Sequence, residues 1–175
     1  MKKVLFIVAS KGFRDEEYFE PKQVLEDAGV LCEVTSENPI EAIGTQGAYI
    51  MPTISLENCT VSEFDAIILV GGKMINDIYN DFRVQDIVKE AERLQKILCA
   101  ICSAPKILAR LQLLEERTVC AHESIYEELK NKGIQIIESD TYKDDTKMPI
   151  IISGKNYQAA HTFGHTIKEA LLENT

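Results

Sequence analysis

Several things this chain lacks set limits on it before any motif is considered. Across 175 residues no apolar run approaches the roughly 18 residues that a membrane-spanning helix needs. Basic charge is scarce: 19 Lys and Arg stand against 28 Asp and Glu, a net charge of -9. Nucleic acid and anionic membrane are therefore not expected as partners, because phosphate binding needs clustered cations. The five cysteines are an odd number without framework spacing, so reduced thiols are expected. No G-x-G-x-x-G follows a strand, and there are no repeats, linkers or low-complexity segments. The opening M-K-K-V-L-F-I-V-A-S has too short an apolar part for a signal peptide and runs into charge, so it is read as a first strand and the protein as cytoplasmic.

What is present alternates. Apolar runs at 4–9, 31–35, 64–70, 97–100, 118–120, 134–137 and 149–152 read as strands. Helical patterns lie between and after them at 15–28, from the Asp81 cap onward, and at 104–111, 123–132 and 157–173. Residues 10–14 read as a polar loop, and Pro21 predicts a late start or a kink in the first helix. Residues 36–60, with two prolines and two glycines, predict a hairpin or excursion off the main sheet. The sum is one α/β domain over 1–175, built on a mostly parallel sheet with helices on both faces.

The organising stretch is I-L-C-A-I-C-S-A-P-K-I-L, residues 97–108. A strand turning sharply into a helix at Cys102 places that sulfur where backbone N–H groups and the helix dipole favour an anion, here the reactive thiolate. This is the geometry of a nucleophile elbow. A buried structural cysteine closing a core strand is the competing reading. Cys99 and Cys102 form a C-x-x-C, but on an extended strand their Cα atoms are about 10 Å apart, beyond the roughly 7 Å a disulfide allows. The ends of strands are where α/β sheets bind ligands, and residues 10–17, Gly71, Gly72, Cys102 and His122 all fall there. That coincidence favours one site with a functional Cys102.

These residues also carry a family resemblance. K-K-V-L-F-I-V-A, D-E-E-Y-F-E-P, I-I-L-V-G-G, A-I-C-S-A-P-K-I-L-A and the Ala121–His122 pair together resemble the ThiJ/PfpI superfamily, across essentially the whole chain. The resemblance implies a flavodoxin-like three-layer sandwich and a homodimer. It implies Cys102 as nucleophile, Glu17 as the acid bonded to its sulfur, and the N–H groups of Gly72 and Ser103 as an oxyanion pocket. It places His122 near the cysteine, with Gly71 among the substrate-binding positions and Lys155 where one branch has an interfacial arginine. Ser103 stands where the peptidase branch has a histidine, and a serine cannot serve as that base. The expected function is accordingly cysteine-dependent chemistry on small reactive carbonyls or their protein adducts, glyoxalase- or deglycase-like, without a cofactor and with a stress-protective role. A thiol redox sensor or chaperone-like protein and a cysteine peptidase or amidase are the alternatives. Glu17, to donate a proton beside a thiolate, is expected to have a raised pKa. His161 and His165 are spaced i, i+4 on the last helix, but no third ligand is positioned with them, so no metal is expected. Cys32, Cys59, Cys99 and Cys120 are expected to be small buried hydrophobes.

Overall fold

The computed structural model describes residues 1–173. In chain order its elements are β1 (Lys3–Ile7), β2 (Lys11–Phe13), α1 (Asp15–Asp27), β3 (Leu31–Thr35), β4 (Ala42–Gly44) and β5 (Tyr49–Ile50). The middle of the chain gives β6 (Ala66–Leu69), α2 (Ile75–Asn80), α3 (Phe82–Arg93), β7 (Ile97–Ile101) and α4 (Pro105–Arg110). The remainder gives β8 (Thr118–Val119), α5 (Tyr126–Asn131), β9 (Gln135–Ile136), β10 (Thr141–Asp144), β11 (Ile151–Gly154) and α6 (Ala160–Glu173).

Six strands form the central sheet in the order β10-β11-β7-β6-β1-β3, parallel except for β10. Side chains alternate across a strand, and the two cores separate by this rule. Leu5, Ile7, Ile67, Leu69, Leu98 and Ala100 join α2 to α5 on one face. Val4, Phe6, Ile68, Cys99 and Ile101 meet α1 and α6 on the other. Both faces are covered, which is why these strands are continuously apolar.

Several expectations change. Residues 10–14 are not a plain loop, because β2 pairs parallel with β4. The 36–60 excursion holds the β4–β5 hairpin, so with β2 it forms a three-stranded satellite sheet. Helix α1 does not start late; it begins at Asp15 and runs through Pro21. The 118–120 and 134–137 runs supply β8 and β9, which pair with each other outside the main sheet. Helix α2 and strand β10 are additions, since both are rich in polar residues and lack a clear periodic signal. Asp81 does cap α3, accepting from the Arg83 N–H. Cys32, on the edge strand β3, and Cys59, in a loop, are only partly buried, whereas Cys99 and Cys120 lie in the interior.

The satellite hairpin is held by one side chain. Asp15 accepts from the Gln46 N–H (2.9 Å), the Ala48 N–H (3.0 Å) and the Thr45 hydroxyl (3.1 Å). Burial pulls its pKa upward, but these donors outweigh burial and hold the carboxyl below its ordinary range. Asp15→Ala removes three charge-assisted bonds and is expected to cost about 2–4 kcal/mol. Urea unfolding checks this: the midpoint should fall with the slope unchanged.

Candidate active site

Strand β7 ends at Ile101, and the next residue, Cys102, takes a left-handed backbone with φ 64°. For a residue with a Cβ this costs on the order of 1–2 kcal/mol, so the surroundings must impose it. They do so from both sides: the Cys102 N–H donates to the Gly154 carbonyl (2.9 Å), and the His122 N–H donates to the Cys102 carbonyl (2.8 Å). Pro105 then opens α4, where its missing N–H costs nothing. The pleat does not continue to Cys102, so the extended-strand geometry used for the C-x-x-C does not apply there. Both of its cysteines are free, with Cys99 buried in the strand.

The second wall comes from the end of β6. Gly71 accepts the Arg14 N–H through its carbonyl (3.0 Å) and donates its own N–H to Glu17 Oε2 (3.1 Å). No side chain fits at this position, because a Cβ would sit 2.7 Å from Glu17 Oε2 and 2.8 Å from the Cys102 Cβ. Gly72 has φ 142° and pairs with Phe13 in a single antiparallel bridge. The bonds flanking that bridge are Arg14 N–H to Gly71 O and Lys73 N–H to Gly12 O, which leaves the Gly72 N–H directed away from β2. Among the described residues, neither the Gly72 nor the Ser103 N–H donates to another backbone carbonyl.

Glu17 is 0% exposed on the third residue of α1. Burial pushes its pKa up to about 7, against the lowering effects of the Cys102 thiol and the Gly71 N–H. Its Oε1 has no conventional hydrogen-bond partner. Burial raises the Cys102 thiol too, and the Glu17 charge raises it further, while the Ser103 N–H and side chain act in the opposite sense. This corrects the expectation that the elbow alone favours the thiolate. Helix α4 has only six residues, and the local burial and carboxylate outweigh it. Two acids in contact share their protons, so the titration near pH 7 belongs to the pair.

Glu17, Gly72, Cys102, Ser103 and His122 line one cleft of about 540 Å³, whereas Gly71, expected among the substrate-binding positions, is buried against Glu17 and Cys102 outside that lining. His122 is tied down at Nδ1, which accepts from the Ser124 N–H (3.2 Å) and sits 2.9 Å from the Ser124 hydroxyl. It also borders a second cavity, where Lys155 pairs with Glu138 (2.8 Å). The cleft contains residues that the sequence alone did not single out. Arg14 stacks on Tyr157 at 4.0 Å and is chelated by Glu16. Lys73 follows Gly72, and Lys106 is one helical turn beyond Ser103. Those two spacings were signals that placed both lysines beside the oxyanion positions. His161 and His165 stack 4.8 Å apart on α6, far from this cleft's lining, with Lys168 against His165.

A cysteine held at a strained strand-to-helix turn, with a buried carboxyl beside it, defines a cysteine-elbow α/β protein. The chain belongs to the DJ-1/PfpI family, whose pattern it matches over residues 2–170. It is 31% identical to an uncharacterized protein of Methanocaldococcus jannaschii, covering 98% of this chain and 83% of that one. It is 28% identical to general stress protein 18 of Bacillus subtilis, over 80% of this chain and 83% of that protein. Its fold superposes on a ThiJ/PfpI domain protein from Brachyspira murdochii with a TM-score of 0.90 at 25% identity, covering 99% and 97% of the two chains. Drosophila melanogaster DJ-1beta gives 0.83 at 24% identity, covering 97% and 90%, and shares the fold. No helix among the described residues is long and apolar enough to cross a membrane.

The raised Glu17 pKa has a stability consequence. Its folded value of about 7 lies above the ~4.3 of an unfolded glutamate. The proton's contribution is fully present below about pH 4.3 and is lost as pH rises through about 7. Wild type should therefore lose on the order of 3 kcal/mol relative to Glu17→Gln between about pH 4 and pH 8. Urea titrations of both proteins at the two pH values test this; equal differences at both would show that Glu17 titrates normally.

Proposed function

We propose that the protein is a cysteine-dependent enzyme acting on small reactive carbonyls or their protein adducts, with a stress-protective role. The observation that carries this reading is the fully buried Glu17 carboxyl against Cys102, under two backbone N–H groups that no other backbone group uses.

With methylglyoxal the steps balance without an external oxidant. Above the pair's titration it holds one proton, and placing that proton on Glu17 leaves Cys102 as thiolate. The sulfur adds to the aldehyde carbon, forming C–S while the carbonyl π pair moves to oxygen. The Gly72 and Ser103 N–H groups hold that oxyanion, and Glu17 protonates it to a hemithioacetal. Glu17, now a carboxylate, takes the proton from that same carbon and returns one to the neighbouring carbon. The hemithioacetal hydroxyl proton passes to the ketone oxygen, so the first carbon is oxidised to a thioester and the second reduced to an alcohol. Water then cleaves the C–S bond, releasing lactate and the thiol. His122, fixed by Ser124, polarises the substrate from the cleft wall. A peptidase route has less support, because Ser103 supplies no base and the Nδ1 of His122 is already engaged.

The test is lactate formation from methylglyoxal without glutathione. Wild type should produce it, Cys102→Ser should produce none, and Glu17→Gln should lose about 10²–10⁴-fold in kcat/KM. Because the Glu17 charge raises the Cys102 thiol, Glu17→Gln should move the rise of iodoacetamide alkylation at Cys102 to lower pH than in wild type. The unpartnered Glu17 Oε1 also favours a second reading, since it is free to bond an oxidised sulfur. Absence of lactate together with selective addition of two oxygen atoms at Cys102 under mild peroxide would replace the enzyme reading with a redox sensor.

A further inference from the structure

In a protein of net charge -9, the charge inside the cleft has the opposite balance. Arg14, Lys73 and Lys106 line it, against Glu128 and Glu17, whose pKa burial pushes up to about 7. The three cations are not equivalent. The Arg14 guanidinium is spent on both oxygens of Glu16 and on the face of Tyr157. Lys106 is half-buried; its Nζ is held at 2.5 Å from Asn76 Oδ1 and 4.7 Å from the centre of the Tyr79 ring, both neutral groups, so its charge is oriented but not neutralised. Among the described residues Lys73 is in no ion pair. Lys73 and Lys106 both line the cleft, and Asn76, on the helix that follows Lys73, holds Lys106.

The cleft contains a further polar group. Ser103 is 8% exposed and lines the cleft; its Oγ is buried and bears on the Cys102 thiol, and among the described residues it has no oxygen or nitrogen partner. A buried hydroxyl without such a partner costs about 1–3 kcal/mol unless something bonds to it. Lys106 follows Ser103 by three residues, on the same side of the first turn of α4. Lys73 directly follows Gly72. The two positions proposed to hold an oxyanion are thus each accompanied by a lysine, and Cys102, Ser103 and Lys106 line the same cleft.

We propose that the cleft selects carbonyl compounds carrying an anionic group, a carboxylate or a phosphate, bound by Lys73, Lys106 and the Ser103 hydroxyl. This rests on the carbonyl reading of Cys102 and names the substrate class within it. The aldehyde end faces the sulfur. The anion lies against Lys73 and Lys106, whose ammonium groups act as point charges for either acid. The bond-forming step is reversible addition: the thiolate forms C–S, the carbonyl π pair moves to oxygen, and that oxygen takes the proton held by Glu17.

Protection of Cys102 from iodoacetamide tests this without requiring turnover. Succinic semialdehyde is compared with butanal, and glyceraldehyde 3-phosphate with glyceraldehyde, reading Cys102 alkylation of the intact protein by mass spectrometry. The charged aldehyde of at least one pair should half-protect wild type at a concentration about tenfold lower than its neutral partner. That ratio should shrink in 0.5 M salt and approach one in the double variant Lys73→Gln, Lys106→Gln. Preference in one pair only identifies that acid as the anion source. Equal protection by charged and neutral aldehydes in wild type overturns the anion site while leaving the carbonyl reading standing. If no aldehyde protects, both fall. Because the decisive comparison is made within wild type, it does not depend on the variant folding.

Discussion

A fully buried carboxyl and a half-buried thiol in contact cannot both be charged without severe cost. The pair therefore holds at least one proton over the pH range in which the protein is folded, and the position of that proton sets what the site can do. On sulfur it leaves an inert thiol beside a carboxylate that Gly71 stabilises from one side only. On Glu17 it leaves a thiolate with a donor next to it. The free-energy difference between these arrangements is set by the N–H groups around each atom, so Gly71, Gly72 and Ser103 act on the chemistry through their backbones.

Holding that pair together constrains distant parts of the chain. Glu17 comes from the first turn of α1, Cys102 from the end of β7, and Gly71 from the end of β6. Adjacent parallel strands β6 and β7 bring the last two together by register, with Leu69 opposite Ala100. Helix α1 has no such ladder, and its first turn is fixed instead by Arg14 N–H on the Gly71 carbonyl and by Asp15 in the satellite hairpin. Asp15 and Glu17, two residues apart, are both buried acids with opposite fates. Three donors keep the first charged, and a single N–H with a thiol leaves the second near neutrality.

The strands, the elbow and the capping Asp81 were legible because each rests on a local signal: an apolar run, a turn at Cys102, or a side chain that caps its own helix. Glu17, Gly72 and Ser103 were legible only through resemblance, since an acidic helix start and a glycine pair occur in many solvated contexts. The satellite sheet was half legible. Prolines and glycines marked residues 36–60 as irregular, but the pairing of β2 with β4 depends on chain segments about 30 residues apart. The opposite signs of the shifts at Asp15 and Glu17 could not be read from D-E-E, because they arise from the Gln46 and Ala48 donors at Asp15 and from burial at Glu17, both set by the fold. Lys73 and Lys106 each stand close to an oxyanion position along the chain, but only the fold brings the two into one cleft.

The number of mobile protons near Cys102 is what separates the possible chemistries. Peptide cleavage needs a base to activate the nucleophile and an acid aimed at a departing amine, two tasks at well-separated atoms. Addition to a dicarbonyl followed by internal proton transfer needs one group that gives and takes a proton within a few ångströms of the sulfur. Glu17 fits that narrower demand: it is buried, uncommitted at Oε1, and poised near neutral pH. Arg14, three residues earlier and already paired with Glu16, lowers the Glu17 pKa only slightly compared with the effect of burial. Were Arg14 released from Glu16 and turned onto Glu17, the carboxyl would stay ionised and the thiol protonated. The Arg14–Glu16 chelate and the Tyr157 stack thus keep a strong cation close to the reacting pair without fixing its proton.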